Sequence, residues 1–145
     1  MKRILSLLLA SVLLSGCASI VGEQSQTLYI ESKPTGANFV ISDNNGMIAA
    51  RGTTPQYITL PKADGSYFGK LSYTVTLMHS DHYPLIVPLQ SRLNGWYTFG
   101  NLLFLGVPGW LLIDPFNGGM YKIYPEHLNA IMRPCPRGPW SYTCP

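Results

Sequence analysis

Ala37-Asn38-Phe39-Val40-Ile41-Ser42-Asp43-Asn44-Asn45-Gly46-Met47-Ile48-Ala49-Ala50-Arg51 reads as a β-hairpin. Phe39 and Ile41 recur at the two-residue period of a strand with one buried face. Asp43-Asn44-Asn45-Gly46 is a strong hairpin turn signal, because Asn-Gly tolerates the positive φ that tight hairpin turns demand. Met47 to Arg51 then returns as the second arm.

Working outward, the same alternation and punctuation recur. Thr27 to Ser32 is β-rich, and Lys33-Pro34-Thr35-Gly36 supplies a turn with Pro preset at its second position. Gly52-Thr53-Thr54-Pro55 turns again before a short strand over Gln56 to Leu60. A longer hairpin follows, with arms Lys70–Met78 and Tyr83–Gln90 joined by His79-Ser80-Asp81-His82. Strands at this spacing predict a mainly β fold, a small antiparallel sandwich or barrel. Met120 to Tyr124 reads as a final strand, and Pro125 as the start of a short helix over Glu126 to Met132.

The first seventeen residues carry an address. Met1-Lys2-Arg3 is a basic start, Ile4 to Leu14 is an apolar run, and Leu14-Ser15-Gly16-Cys17 ends it with small residues before a cysteine. Eleven apolar residues fall well short of the roughly 20 that a spanning helix needs. The tetrapeptide Leu14-Ser15-Gly16-Cys17 resembles the lipobox of bacterial lipoproteins. That resemblance implies cleavage before Cys17 and a diacylglyceryl thioether on its sulfur, with three acyl chains in the mature form. Multi-chain attachment is effectively permanent at roughly 0.8 kcal/mol per buried methylene. Ala18-Ser19 follows without an aspartate, which by resemblance to Gram-negative lipoproteins implies a periplasm-facing place on the outer membrane. In an envelope with one membrane the same signal implies a cell-membrane lipoprotein. No cofactor is expected beyond the covalent lipid on Cys17.

The expected organisation is a signal peptide over 1–16, lipidated Cys17 with a tether through 26, and a β domain over 27–92. An apolar helical hairpin, final strand and short helix over 93–133 then pack on it, and a tail covers 134–145. Removing residues 1–16 takes Lys2 and Arg3 from ten basic residues, leaving eight against seven acidic ones. A mature charge of +1 offers no electrostatic footprint for nucleic acid.

A second resemblance rests on Ser32-Lys33-Pro34-Thr35-Gly36-Ala37-Asn38-Phe39-Val40, on Gly52-Thr53-Thr54-Pro55, and on a strand ending near His82-Tyr83. Together these are similar to a PEGA-type domain across about residues 27–90. Departures are Thr35 in place of the acidic residue, an extra threonine in the second turn, and His82 where glycine is usual. The resemblance implies a cell-envelope β domain without catalysis.

Residues 96–113 are apolar nearly throughout, with Gly100, Gly106, Pro108 and Gly109 along them. Val107-Pro108-Gly109 would break a spanning helix in mid-bilayer. Two alternatives stay open: a Gly-rich helical hairpin packed on the sheet, or an apolar surface contacting lipid or a partner protein of the envelope. Trp96, Tyr97, Phe104 and Trp110 are the candidate interface residues. Oligomeric state is not legible.

No catalytic constellation stands out. Gly-x-Ser-x-Gly, phosphate-loop and His-Glu-x-x-His patterns are absent from the sequence. His79 and His82 flank Asp81, but spacing i, i+3 in a hairpin turn is not expected to bring them together, and no metal site is expected. His127 is expected on the surface of the short helix. Asp43, Asp64 and Asp81 are expected to stabilise turns. The expected function is therefore a non-catalytic structural or binding module. A membrane-active or oligomeric assembly subunit using 96–113 comes second, and an envelope enzyme third.

Cys135 and Cys144 remain as an even pair in an oxidising compartment, separated by a Pro- and Gly-rich stretch that brings their ends within reach. A disulfide between them would contribute about 2–3 kcal/mol by loop closure. A thiol assay on purified, non-reduced, denatured protein is expected to find neither of these two sulfurs free. Two free thiols would refute the pairing.

Overall fold

The computed structural model describes residues 23–95 and 118–138. They build eight strands: β1 Ser25–Lys33, β2 Asn38–Asp43, β3 Ile48–Thr53, β4 Gln56–Pro61, β5 Tyr73–Met78, β6 Leu85–Leu93, β7 Tyr121–Tyr124 and β8 His127–Ile131. A single 3-10 turn, Gly118–Met120, precedes β7. The mainly β class is as expected. The helical hairpin over 96–113, with Trp96, Tyr97, Phe104 and Trp110, lies outside the described residues, as do Cys17 and Cys144.

Two sheets face each other. One has the order β4-β1-β8, the other β3-β2-β5-β6-β7. Their inward residues form one core around Leu28, Ile30, Phe39, Ile41, Val75 and Ile123. Gly52 faces Phe39 across the β2–β3 ladder, where an added Cβ would stand 2.6 Å from Phe39 Cζ. A side chain there would press on that ring and on the Gln56 amide.

The Ala37–Arg51 hairpin is present, with a different turn. Gly46 takes a φ of 79° while Asn45 stays at negative φ, so one glycine rather than an Asn-Gly pair supplies the left-handed position. Asp43 Oδ1 accepts the N–H groups of Asn45 and Met47 at 2.9 and 2.8 Å, fixing the turn locally. The register then slips by one residue between Ile41 and Ser42, a bulge that leaves Ala49 unpaired.

Three expectations are corrected. The short helix over Glu126–Met132 is strand β8, paired in parallel with β1 from Tyr29↔His127 to Lys33↔Ile131. Leu128, Ala130 and Met132 are buried on alternate residues, so burial at period two overrides moderate helix propensity. The 93–133 boundary also shifts. β7 and β8 contribute Ile123, Leu128 and Ala130 to the common core, so 118–133 belongs to the β domain itself. Finally, Ser25 and Gln26 are strand residues rather than tether.

Gln26 shows why the strand begins early. Its side-chain Oε1 accepts the Ile123 N–H and its Nε2 donates to the Ile123 carbonyl, both at 2.8 Å. The amide thereby acts as one extra rung on the edge of β7 and joins the two sheets at that seam.

Tyr73 lies buried at the start of β5, and its hydroxyl donates to the Pro61 carbonyl at 2.7 Å. Burial, helped by the charge of Asp43, pushes its phenol from the ordinary 10 up to about 12. The neutral phenol is the form that the fold favours. Its contribution to stability is therefore complete below pH 10 and is lost as pH rises from 10 towards about 12. Urea unfolding across that window should show the decline. Tyr73→Phe should flatten it while costing about 1 kcal/mol at neutral pH for the lost bond.

Candidate binding face

Ser32, Pro34, Ala37 and Thr54, four of the residues that carry the PEGA-type resemblance, meet at one buried corner. Ser32 Oγ donates to the Pro34 carbonyl at 2.6 Å, so the 2.5 Å contact with Thr54 is donated by the Thr54 hydroxyl. Thr54 Oγ1 in turn accepts the Ala37 N–H at 3.1 Å. Backbone bonds from Gly36 and Thr54 complete the link between the β1–β2 and β3–β4 turns. Both turns hold cis prolyl bonds, at Lys33-Pro34 and Thr54-Pro55. Of the two threonines in the second turn, Thr54 is buried here, while Thr53 bonds to Asn38 at the surface. The motif residues therefore brace the fold.

The face with recognition chemistry lies on the outside of the three-stranded sheet. Tyr57 on β4, Tyr29 on β1 and His127 on β8 are register partners across all three strands. Their ring centroids are 4.7 and 5.0 Å apart, tilted by 41° and 58°. Tyr57 is 71% exposed and caps the row. Glu31 lies one outward position along β1 and contacts His127 Nε2 at 3.1 Å. Thr27 and Thr59 share a hydroxyl bond at 2.8 Å on the other side of the row. The result is an aromatic stripe with polar groups on both flanks, suited to stacking and hydrogen bonding. His127 is thus a sheet-face residue, not a helix-surface one.

Other candidates are less developed. An open groove of about 450 Å³ runs along β5 and β6, flanked by Lys70 and Arg92. Gln90 Oε1 holds the Arg92 guanidinium at 2.7 and 3.3 Å. His79 and His82 do come together, contrary to expectation: their rings meet edge to face at 5.1 Å. Each Nδ1 lies within 2.9 Å of the Ser80 carbonyl, because Asp81 at φ 60° folds the turn back on itself. Among the described residues no three His, Cys, Asp or Glu side chains gather as a metal site. Asp43 and Asp64 serve turns as expected, Asp64 through Ser66, whose bonds hold its carboxyl below the usual range.

No sequence signal singles out Lys62, yet it is buried near Glu23. Burial lowers its pKa, Glu23 opposes that, and Lys122 adds to it. Cys135 is disulfide-bonded, and its partner lies outside the described residues. Among the described residues no helix is long and apolar enough to cross a membrane. No family model, curated protein or solved structure matches the chain.

The corner is testable by deleting one hydroxyl. Thr54→Val keeps the shape but leaves the Ala37 N–H buried without its acceptor, an expected loss of about 2 kcal/mol in chemical unfolding. Thr53→Val next to it should cost no more than about 0.5 kcal/mol. Equal losses would show that the corner is not special.

Proposed function

We propose that the chain is a lipid-anchored lipoprotein of the cell envelope whose β domain is a non-catalytic structural or binding module. The membrane end of this reading rests on Lys2-Arg3, the apolar run and Leu14-Ser15-Gly16-Cys17. The binding end rests on one observation, the exposed Tyr57–Tyr29–His127 row. Its rings present faces, and its one carboxylate, Glu31, is partnered by a surface histidine rather than enclosed in a pocket. An envelope protein is the partner class that such a stripe suits, since tyrosine and histidine pack and hydrogen-bond at once.

The motif residues support a PEGA-like assignment in one respect: Ser32, Pro34 and Thr54 act jointly to hold two turns. The proposed Cys135–Cys144 pairing is supported by the disulfide at Cys135. Cys17 precedes β1 at its N-terminal end, whereas Cys135 follows β8 beside His82, a strand length away. We place the protein on the outer membrane facing the periplasm, or on the cell membrane where there is only one. The runner-up, an oligomeric assembly subunit, is favoured by the delivery of apolar segment 96–113 from the end at which β1 begins.

Photo-crosslinking in cells tests both ends. A benzophenone side chain replacing Tyr57 should give a discrete adduct with an envelope protein in the membrane fraction. Cys17→Ser should shift the protein out of that fraction or leave it unprocessed. Retention of processed Cys17→Ser on the membrane would overturn the anchor. Loss of any discrete adduct would overturn the binding face, and an adduct between two copies would favour the assembly subunit.

A further inference from the structure

The strand registers sort every connection to one of two ends. β1 starts at Ser25 beside Pro61, and the Lys62 N–H bonds to the Gln24 carbonyl. The loop from Lys62 to Leu71 is closed by a bridge between Ala63 and Lys70. Asp43 pairs with Tyr73, which brings the β2–β3 turn to this same end. Leu93 pairs with Tyr121, and the Asn94 N–H bonds to the Met120 carbonyl. The chain therefore enters the domain here from Cys17, and here it leaves before the apolar stretch 96–113 and re-enters after it.

The loops at this end carry exposed apolar side chains. Met47 and Ile48 project from the hairpin turn, at 68% and 51% exposure. Tyr67 and Phe68 stand edge to face at 4.7 Å on the 62–71 loop, each about half exposed, and Leu93, 60% exposed, ends β6 at the same end. Phe68 holds this position at φ 56°, a left-handed conformation uncommon for a bulky residue. The Tyr121 hydroxyl reaches the Phe68 carbonyl at 3.5 Å, tying the loop to β7. At the opposite end the connections carry His79, Asp81, His82, Arg133 and Arg137. The exposed apolar residues towards that end, Met78, Ile86 and Ile131, belong to three different strands, β5, β6 and β8, and its connecting loops carry polar and charged side chains instead.

We propose that the end formed by Met47, Ile48, Tyr67, Phe68 and Leu93 is the membrane-facing surface of the domain, seated at the headgroup level of a phospholipid bilayer. This rests on the lipid-anchored reading for its orientation. Glu23 stands six positions after Cys17, a reach of at most about 20 Å, so an acylated Cys17 holds this end close to lipid. Basic Lys62, Lys70, Arg92 and Lys122 at this end are balanced by Glu23, Asp43, Asp64 and the Glu126 that pairs with Lys122. The contact is therefore aromatic and apolar rather than electrostatic, and it fixes the tilt of a domain that lipid alone would leave swivelling.

Carbene labelling from the bilayer tests this on the full, lipidated chain. The protein is reconstituted into phosphatidylcholine vesicles doped with a diazirine-bearing phosphatidylcholine, irradiated and mapped by mass spectrometry. Peptides covering 44–51 and 63–70 should be labelled about tenfold above those covering 54–57 and 79–84, because the two groups lie a strand length apart across the interface. The pattern should survive high salt. Equal labelling of both groups, labelling of the opposite end, or loss of the pattern in high salt would overturn the proposal. Intact mass of the same sample reports acylation of Cys17 separately. An unlipidated chain would therefore sink the anchor without being confused with a failed footprint.

Discussion

Four groups in a line, the Ala37 N–H, the Thr54 hydroxyl, the Ser32 hydroxyl and the Pro34 carbonyl, hold the corner on which both sheets turn. β1 belongs to one sheet and β2 to the other, and the same crossing is made in reverse between β3 and β4. Each crossing strips backbone groups of ladder partners in a buried place. Unpaired, each would cost about 1–3 kcal/mol. Threading two hydroxyls between the turns satisfies them together, and only residues with one donor and spare acceptor capacity can do so. Serine and threonine at these positions are thus set by the geometry of the crossing.

The opposite seam is closed differently. β7 is an edge strand, and edge strands expose a template for unwanted pairing. Gln26 covers that edge at Ile123 with a side-chain amide that copies one backbone unit. The chain then crosses at Tyr124-Pro125 into β8, which joins β1 in parallel. A parallel partner is available because residues far apart in sequence supply the two strands, so a hairpin is not required. The local pairings are legible from turn chemistry: Asp43–Gly46, Thr54-Pro55 and His79–His82 all separate paired or consecutive strands. β8 is not, for two reasons. Pro125 mimics a helix start, and Ile131 points outward at 71% exposure, which hides the alternation of Leu128, Ala130 and Met132.

The candidate face is illegible for a related reason. Tyr57, Tyr29 and His127 come from strands that are neither adjacent in sequence nor all antiparallel, so no spacing rule joins them. The sequence pattern places His127 on a helix, and its pairing with Glu31 emerges only once the parallel register is known. The His79–His82 contact escapes the same kind of reading because it depends on Asp81 adopting a left-handed conformation, uncommon for a residue other than glycine. Turn composition announces that a chain reverses. It does not announce which of several reversals brings two rings together.

The corner and the face are mechanically linked. Tyr57 follows Thr54 by three residues, with Pro55 and Gln56 between, so the buried hydroxyl relay fixes the start of β4 and with it the ring that caps the row. Tyr29 and His127 are then placed by the β1 ladders on either side. The braced end of the domain also holds the Cys135 disulfide, while the end at which β1 begins has the longer connections 62–72 and 94–120. A module built this way has its hydroxyl-braced turns next to the ring row and the bridged 62–72 loop where the chain arrives from Cys17. The braced turns hold the row as a preformed surface, which lowers the ordering cost of any binding to it.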